Sequence, residues 1–188
     1  MILRVGKLGF LVMAGLLVLG QAVLTWQPCA AQGAAKEAPA AGEYARHFDA
    51  LMKLTKEVAD AMPAEKYGFK PHPDSMDFGS LMNHIATTNL QFCAGLADTE
   101  VGGMNSLDPG SGANKPAVLK YLADSFAYCS HVVRELNEKQ LEATHNSPDG
   151  KMPGWDVLLA MFVHVAHHRG QAEIYLRDNG IAPPRYRI

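Results

Sequence analysis

The sequence predicts an all-α fold, and within that class a four-helix bundle. Four segments of about 20 residues place apolar side chains at the three- and four-residue steps of an α-helix. None of them shows the strict alternation of a β-strand, and stretches rich in glycine and proline separate them. Four amphipathic helices in one domain pack most simply as a bundle, because each helix must bury its apolar face against the others.

The first helix is predicted over residues 43–62 and the second over residues 78–97. Pro63 ends the first helix, and Asp77 is a suitable N-cap for the second, because its carboxylate can accept N–H groups of the first turn. The predicted buried faces comprise Tyr44, Phe48, Leu51, Thr55, Val58 and Met62 on the first helix, and Leu81, Ile85, Thr88, Phe92 and Leu96 on the second.

The third helix is predicted to begin near Lys115, with Pro116 in its first turn, where a missing N–H costs little. The fourth helix is predicted over residues 155–179. The stretches between these helices, residues 102–113 and 146–154, are predicted to be loops. The buried face of the third helix is predicted to consist of Leu119, Leu122, Phe126, Cys129, Val133 and Leu136.

The chain opens like a secretory signal peptide. Arg4 and Lys7 form a basic start, residues 8–24 are almost entirely apolar, and small residues follow. Cleavage after Ala31 is expected to deliver an exported protein, periplasmic or secreted. Two alternatives remain: the apolar run stays as an uncut membrane anchor, or Cys29 is lipidated.

The predicted organisation is therefore a signal peptide at residues 1–31, a linker at residues 32–42 and the bundle domain at residues 43–188. The linker is rich in alanine, glycine and proline and has no apolar periodicity. A formal net charge of -2 and a pI of about 6.4 indicate no basic face. No nucleic-acid partner is expected, and no membrane contact is expected once the signal peptide is removed.

Two histidines of the fourth helix, His164 and His168, are the first candidates for a metal site. They are four residues apart, so their imidazoles project from one face of the helix and can reach the same ion. His84 lies at the margin of the apolar face of the second helix and is the candidate third ligand. The alternative is a set of hydrogen-bonded histidines at the rim of the core. Val165 stands where a zinc-peptidase helix needs glutamate, which argues against that class.

The other histidines are predicted to lie at the surface. His47 and His131 fall off the apolar faces of the first and third helices, and His72 and His145 stand in loops near prolines. His167 points away from the apolar face of the fourth helix. None of the five is expected to bind the metal.

The fourth helix carries the run HVAHHRGQAEIYLRDNG, which begins at His164. Together with MPAEKY after the first helix and FGSLMNHIA at the start of the second, this run resembles the motifs of the DinB/YfiT-like family. The resemblance covers residues 44–181. It implies an up-down-down-up four-helix bundle, often dimeric, in which His84, His164 and His168 hold a divalent metal.

Three neutral imidazoles leave coordination positions open for a guest, which is typical of a catalytic metal site. We expect zinc first and nickel second, because imidazole suits both. The expected function is an exported metal-dependent enzyme of transferase or hydrolase type that acts on an unknown small molecule. Some family members resemble thiol-dependent transferases, but an exported protein meets few reduced thiols. The alternative is a metal-binding or stress-related bundle protein without catalysis.

Three further polar residues are candidates to support the ligands: Asn83, Gln171 and Tyr175. They lie near the ligands along the two helices, where they could orient the imidazoles. The alternative is ordinary polar helix surface. No residue is identified as a catalytic acid or base.

The resemblance also implies that the second and third helices run parallel. Cys93 and Cys129 each lie about fifteen residues into their helices, so parallel helices bring them to a similar height. A disulfide between them is then feasible in an exported protein. The alternative is that both are small buried hydrophobic residues.

The fourth helix has a second apolar side, made of Leu159, Val163, Ala166, Gly170 and Ile174. In a monomer this side would face water, so we expect a homodimer with a helix-to-helix contact. The alternative is that a loop packs over it.

Overall fold

The computed structural model describes residues 41–99 and 112–187. It contains the α-helices α1 (Gly42–Ala61), α2 (Phe78–Leu96), α3 (Lys115–Glu135), α4 (Glu138–Glu142) and α5 (Gly154–Asp178), and the strands β1 (Thr144–Ser147) and β2 (Gly150–Pro153). The predicted signal peptide, the predicted linker up to residue 40 and the first ten residues of the predicted 102–113 loop lie outside the described residues.

The four long helices form the predicted bundle, and α2 and α3 run parallel. The hydroxyls of Thr87 and Tyr121 lie 3.0 Å apart, and further along both helices Cys93 meets Cys129. Contacts between α1 and α3 run in the opposite sense. Lys115, at the start of α3, donates to the carbonyl of Asp60 near the end of α1. The order is therefore up-down-down-up once α5 is added antiparallel to α2.

Contacts at three positions along the helices show that α5 packs antiparallel to α2. The ring of Tyr175 packs near that of Phe78 at the start of α2. Further along the two helices, His168 faces His84. Beyond that pair, the sulfur atom of Met161 lies 3.4 Å from the sulfur atom of Cys93. The register between α2 and α5 therefore determines which side chains of the two helices come into contact.

The predicted apolar faces of α1 and α2 form the core. The Phe48 and Val58 side chains of α1 are fully buried, and α2 is buried on most of its circumference. On α3 the predicted face is also correct except at its first position, where Leu119 is half-buried and Val118 takes the core position. Burial of these side chains supplies the main driving force for folding.

The start of α2 is fixed by two contacts. The Asp77 carboxylate accepts the backbone N–H of Ser80 at 2.7 Å, which confirms the predicted N-cap. The Tyr175 hydroxyl on α5 donates to the carbonyl of Met76 at 2.9 Å. The residue before the cap is therefore tied to α5, and this tie helps to set the height of α2 against α5.

The prediction of a loop at residues 146–154 is wrong. The short helix α4 is followed by an antiparallel hairpin in which Thr144 pairs with Pro153 and Ser147 with Gly150. Neither four-residue strand, THNS or GKMP, has the alternating apolar residues that would have predicted it. The hairpin is held together by backbone pairing between its two strands.

A disulfide joins Cys93 of α2 to Cys129 of α3, with the Cα atoms 5.5 Å apart. Both residues are fully buried. The sequence left this pairing open, and the parallel arrangement of the two helices brings the residues together. Along residues 41–99 and 112–187, no helix combines the length and apolarity needed to cross a membrane.

Candidate metal centre

Three imidazoles converge in the groove between α2 and α5. The Nε2 atom of His84 lies 3.1 Å from Nε2 of His164 and 3.1 Å from Nε2 of His168. One nitrogen from each residue lies within 4.8 Å of the others, and within the described part of the chain this is the cluster able to hold an ion. The structure thus brings together the three histidines selected from the sequence.

The local sequence explains two of the three positions. His164 and His168 are one turn apart on α5, and their ring centroids lie 4.5 Å apart. His84 comes from α2, whose outer side carries the half-buried residues Ser80, His84 and Thr87. His84 therefore lies at the border between this outer side and the face packed on α5.

Two of the three nitrogen–nitrogen distances are compatible with a tetrahedral metal ion. At the usual zinc–nitrogen bond length, two imidazole nitrogens on adjacent corners of a tetrahedron lie about 3.3 Å apart. The two observed nitrogen–nitrogen distances of 3.1 Å are close to this value. Ring nitrogens suit zinc, nickel, copper and iron, so the donor set is compatible with a divalent metal but does not select one.

The environment keeps the three imidazoles neutral, which is the form that binds a metal. Partial burial lowers the pKa of His84 and of His168. For His164, burial together with the neighbouring His168, His84 and His167 lowers the pKa to about 4. Crowding three imidazoles into a half-buried groove therefore disfavours protonation of each.

Gln171 orients one of the three imidazoles. The Nδ1–H of His168 donates to Oε1 of Gln171 at 2.8 Å, which leaves the Nε2 lone pair directed at the cluster. The amide nitrogen of Gln171 lies 3.1 Å from Nε2 of His167 and can donate to it. His167 is exposed, as predicted, but it belongs to the hydrogen-bonded chain that ends at His168.

The other two supporting candidates have different surroundings. Asn83 is buried on α2, next to His84 along the chain. The Tyr175 hydroxyl donates to the backbone carbonyl of Met76. Its role is to hold α5 to the start of α2.

His145 is not a surface residue, so that prediction is wrong. Its side chain is 1% exposed, with Nε2 at 2.6 Å from the carbonyl oxygen of Gln140 and Nδ1 at 3.2 Å from that of Gly95. Nδ1 also lies 3.3 Å from the Asp98 carboxylate. His145 occupies an inward position of β1, and the failure to predict that strand explains the error.

His47 on α1 and His131 on α3 lie off the buried faces, and His72 has an exposed side chain. The surface assignment is therefore correct for His72 and His131. The side chain of His47 is 37% exposed and lies near Glu43. None of the three joins the described cluster.

The fold and the cluster define a helical-bundle protein with a histidine site compatible with a metal, and sequence comparison identifies the class. Residues 47–172 match the model of the DinB superfamily, and the chain belongs to this superfamily. A relative is the uncharacterized protein YjoA of Bacillus subtilis (strain 168), 22% identical over 135 residues, which cover 71% of this chain and 87% of the relative.

Solved structures agree with this assignment at the level of the fold. The crystal structure of the DinB-like protein YjoA from Bacillus subtilis superposes with a TM-score of 0.65 at 22% identity, over 77% of this chain and 98% of that one. A DinB-like protein from Bacillus cereus ATCC 10987 gives a TM-score of 0.63 at 18% identity, over 76% and 94%. At these identities the likeness establishes the shared fold alone.

The lowered pKa of His164 predicts a pH dependence of the metal-free protein. The unfolded chain takes up a proton near pH 6.5, whereas the folded protein resists it until about pH 4. Between these values the unfolded state binds more protons, so the free energy of unfolding decreases as the pH falls from 6.5 to about 4. Urea unfolding with chelator present, measured at several pH values, checks this.

The matched variant is His164→Gln, which keeps a polar side chain that does not titrate. We expect a shallower decrease of the unfolding free energy across the same pH range. An identical pH dependence in both proteins would show that His164 is not responsible.

Proposed function

We propose that this protein is an exported, divalent-metal-dependent enzyme of hydrolase or transferase type, acting on a small molecule at a centre formed by His84, His164 and His168. The convergence of three Nε2 atoms in a half-buried groove carries the proposal. Zinc is the first expectation and nickel the second, since both accept imidazole ligands. Three protein ligands leave a coordination position for substrate, as in catalytic zinc sites.

The position of the cluster in the groove supports access by a substrate. All three ligands are intermediate in burial rather than enclosed. On α2, the half-buried His84 and Thr87 are followed on the same side by the exposed Gln91. Neutral polar side chains therefore continue from the ligands along the outer side of α2, and they can hydrogen-bond a bound molecule.

The side chains of the site have separable tasks. His84, His164 and His168 supply neutral nitrogen donors from two helices, and Gln171 keeps His168 in the tautomer that presents Nε2. The buried ring of Phe92 packs edge-on against the ring of His164, with the two ring centroids 6.1 Å apart. When bound, a divalent ion supplies Lewis acidity toward a carbonyl or phosphoryl group.

Metal content tests the ligand set directly. The purified chain is expected to bind one divalent ion, whereas His84→Ala, His164→Ala and His168→Ala should each retain less than about a tenth of it, because each removes one of three donors. Elemental analysis after dialysis against zinc or nickel gives the measurement. His131→Ala, an exposed histidine of α3, is the matched control and should bind as the unaltered chain does.

Gln171→Leu should weaken metal binding less than the loss of a histidine does. We expect metal affinity to fall by about 10- to 100-fold, the range seen when a hydrogen-bond partner of a ligand is lost. Full metal content in any of the three alanine variants would contradict the ligand assignment.

Ligand exchange separates a catalytic centre from one that only stores metal. Cobalt(II) replaces zinc in such sites, and an open position predicts that azide changes the visible absorption spectrum of the cobalt-loaded protein. A spectrum insensitive to azide would instead favour the non-catalytic alternative. The same titration of His84→Ala controls for cobalt bound elsewhere.

Export is part of the proposal, and the disulfide supports it. Structural disulfides persist in oxidising compartments and are rare in the cytosol. The Cys93–Cys129 bridge is buried in the core, which is the position of a structural bridge. The basic and apolar pattern of residues 1–31 supplies the export signal.

The mass of the chain recovered from its natural compartment tests export. We expect a protein that begins at Gln32 and whose Cys93 and Cys129, labelled in denaturant because both are buried, react with a thiol reagent only after reduction. A mass that includes residues 1–31 would indicate a retained anchor. Two thiols reactive without reductant would remove the disulfide from the argument.

A further inference from the structure

The segment that follows α5, residues 179–187, folds back beside α5 and α1 and is called the return segment below. Gly180 has a φ angle of +74°, which turns the chain as soon as the helix ends. Further along, the ring of Tyr186 lies over the guanidinium of Arg169, with 5.3 Å between the guanidinium carbon and the ring centroid. The return segment is therefore attached to α5 both at its start and at Tyr186.

A cavity of about 430 Å³, called the α1 cavity below, lies between α1 and the return segment. Its lining includes Lys53, Leu54 and Glu57 of α1, together with Pro184, Arg185 and Arg187 of the return segment. Tyr186 contacts α5, while the arginines on either side of it line the cavity. Among the described residues, the α1 cavity and the histidine cluster have no residue in common.

The α1 cavity carries an excess of positive charge. Lys53, Arg185 and Arg187 supply three cations against the one carboxylate of Glu57, which leaves a formal charge of +2 among the described lining residues. The whole chain, by contrast, has a formal net charge of -2. An acidic protein that gathers three cations around one cavity attracts anions to that place.

The two arginines of the cavity lack the ion pairs that the other described arginines have. The paired arginines all lie on helices and are Arg46, Arg134, Arg169 and Arg177. Among the described residues, no carboxylate forms an ion pair with Arg185 or Arg187, although Glu57 lines the same cavity. A guanidinium presents a planar fork of N–H donors that fits two oxygens of a phosphate. Both forks are therefore available to a bound oxyanion.

We propose that the α1 cavity binds a small phosphate monoester. Arg185 and Arg187 hold phosphate oxygens from the return segment, and Lys53 reaches the phosphate from α1. The ester group packs on Leu54, which is 4% exposed, and on the half-buried Pro184. The volume of about 430 Å³ lies within the range of small-molecule sites.

The charge of the cavity favours a phosphate monoester over a carboxylate. A phosphate monoester carries a charge of about -1.5 to -2 at pH 7, which nearly neutralises the formal charge of +2 in the cavity. A carboxylate would leave half of that charge unbalanced. The apolar part of the wall favours an ester over inorganic phosphate, because inorganic phosphate has no apolar group to place against it. The ligand therefore combines a dianionic phosphate with a small apolar group.

Calorimetric titration of the purified chain with phenyl phosphate tests the site. EDTA is present, so that no metal at the histidine cluster contributes to phosphate binding. We expect a dissociation constant below about 1 mM, which Arg185→Gln and Arg187→Gln each raise by at least about tenfold, because each removes charge-assisted hydrogen bonds. Glu57→Gln should lower the dissociation constant by about two- to fivefold, since it removes the like charge beside the phosphate.

Arg134→Gln, which removes an exposed arginine of α3, is the matched control and should leave the affinity unchanged. His84→Ala should also bind phenyl phosphate as the unaltered chain does, so failure of the metal proposal and failure of this one are distinguishable. Benzyl alcohol, which has a ring but no charge, should show no binding in the same titration.

Absence of binding at about 10 mM phenyl phosphate would overturn the proposal, and so would an affinity that neither arginine variant changes. Inorganic phosphate bound as tightly as phenyl phosphate would overturn the assignment of an ester. Sedimentation with phosphatidylcholine vesicles that contain phosphatidic acid distinguishes a lipid headgroup from a soluble ester. Binding to these vesicles without binding of phenyl phosphate would assign the three cations to a membrane surface and would also overturn the proposal.

Discussion

The register of α5 against α2 is the constraint on which the site depends. A slip of one helical turn moves a side chain by about 5.4 Å, which is enough to separate His84 from the pair on α5. Three contacts spaced along the helices oppose such a slip: Tyr175 on the Met76 backbone, the histidine cluster itself, and Met161 against Cys93. The site is therefore positioned by packing over the whole length of the two helices.

Among the helices that the structure describes, α2 is buried over the largest part of its length. It packs on α3 and α5 along its length and is covalently joined to α3 through Cys93. Only a narrow outer side remains partly exposed, and His84 lies on it. A side chain on a rigid, central helix keeps its position better than a side chain on a loop, so helix packing fixes where His84 meets the pair on α5.

Helix α5 has two distinct sides. One side presents His164 and His168 to α2, and the other exposes the apolar side chains around Gly170 to solvent. His167 stands between them, linked through Gln171 to His168. This double use leaves α5 without a clean polar face, unlike a helix that only packs on a core.

The sequence alone determined the four long helices, because the spacing of apolar residues and the Asp77 cap are local signals. It also determined that His164 and His168 share a face, since four-residue spacing on a helix fixes that. Only the tertiary structure decided that His84 faces the pair and that Cys93 meets Cys129. It also decided that the Tyr175 hydroxyl donates to the carbonyl of Met76 and that His145 is buried in a hairpin. The contacts of His84, Cys93 and Tyr175, and that of His145 with Gly95, join residues 36 to 99 positions apart, and no local pattern encodes their register.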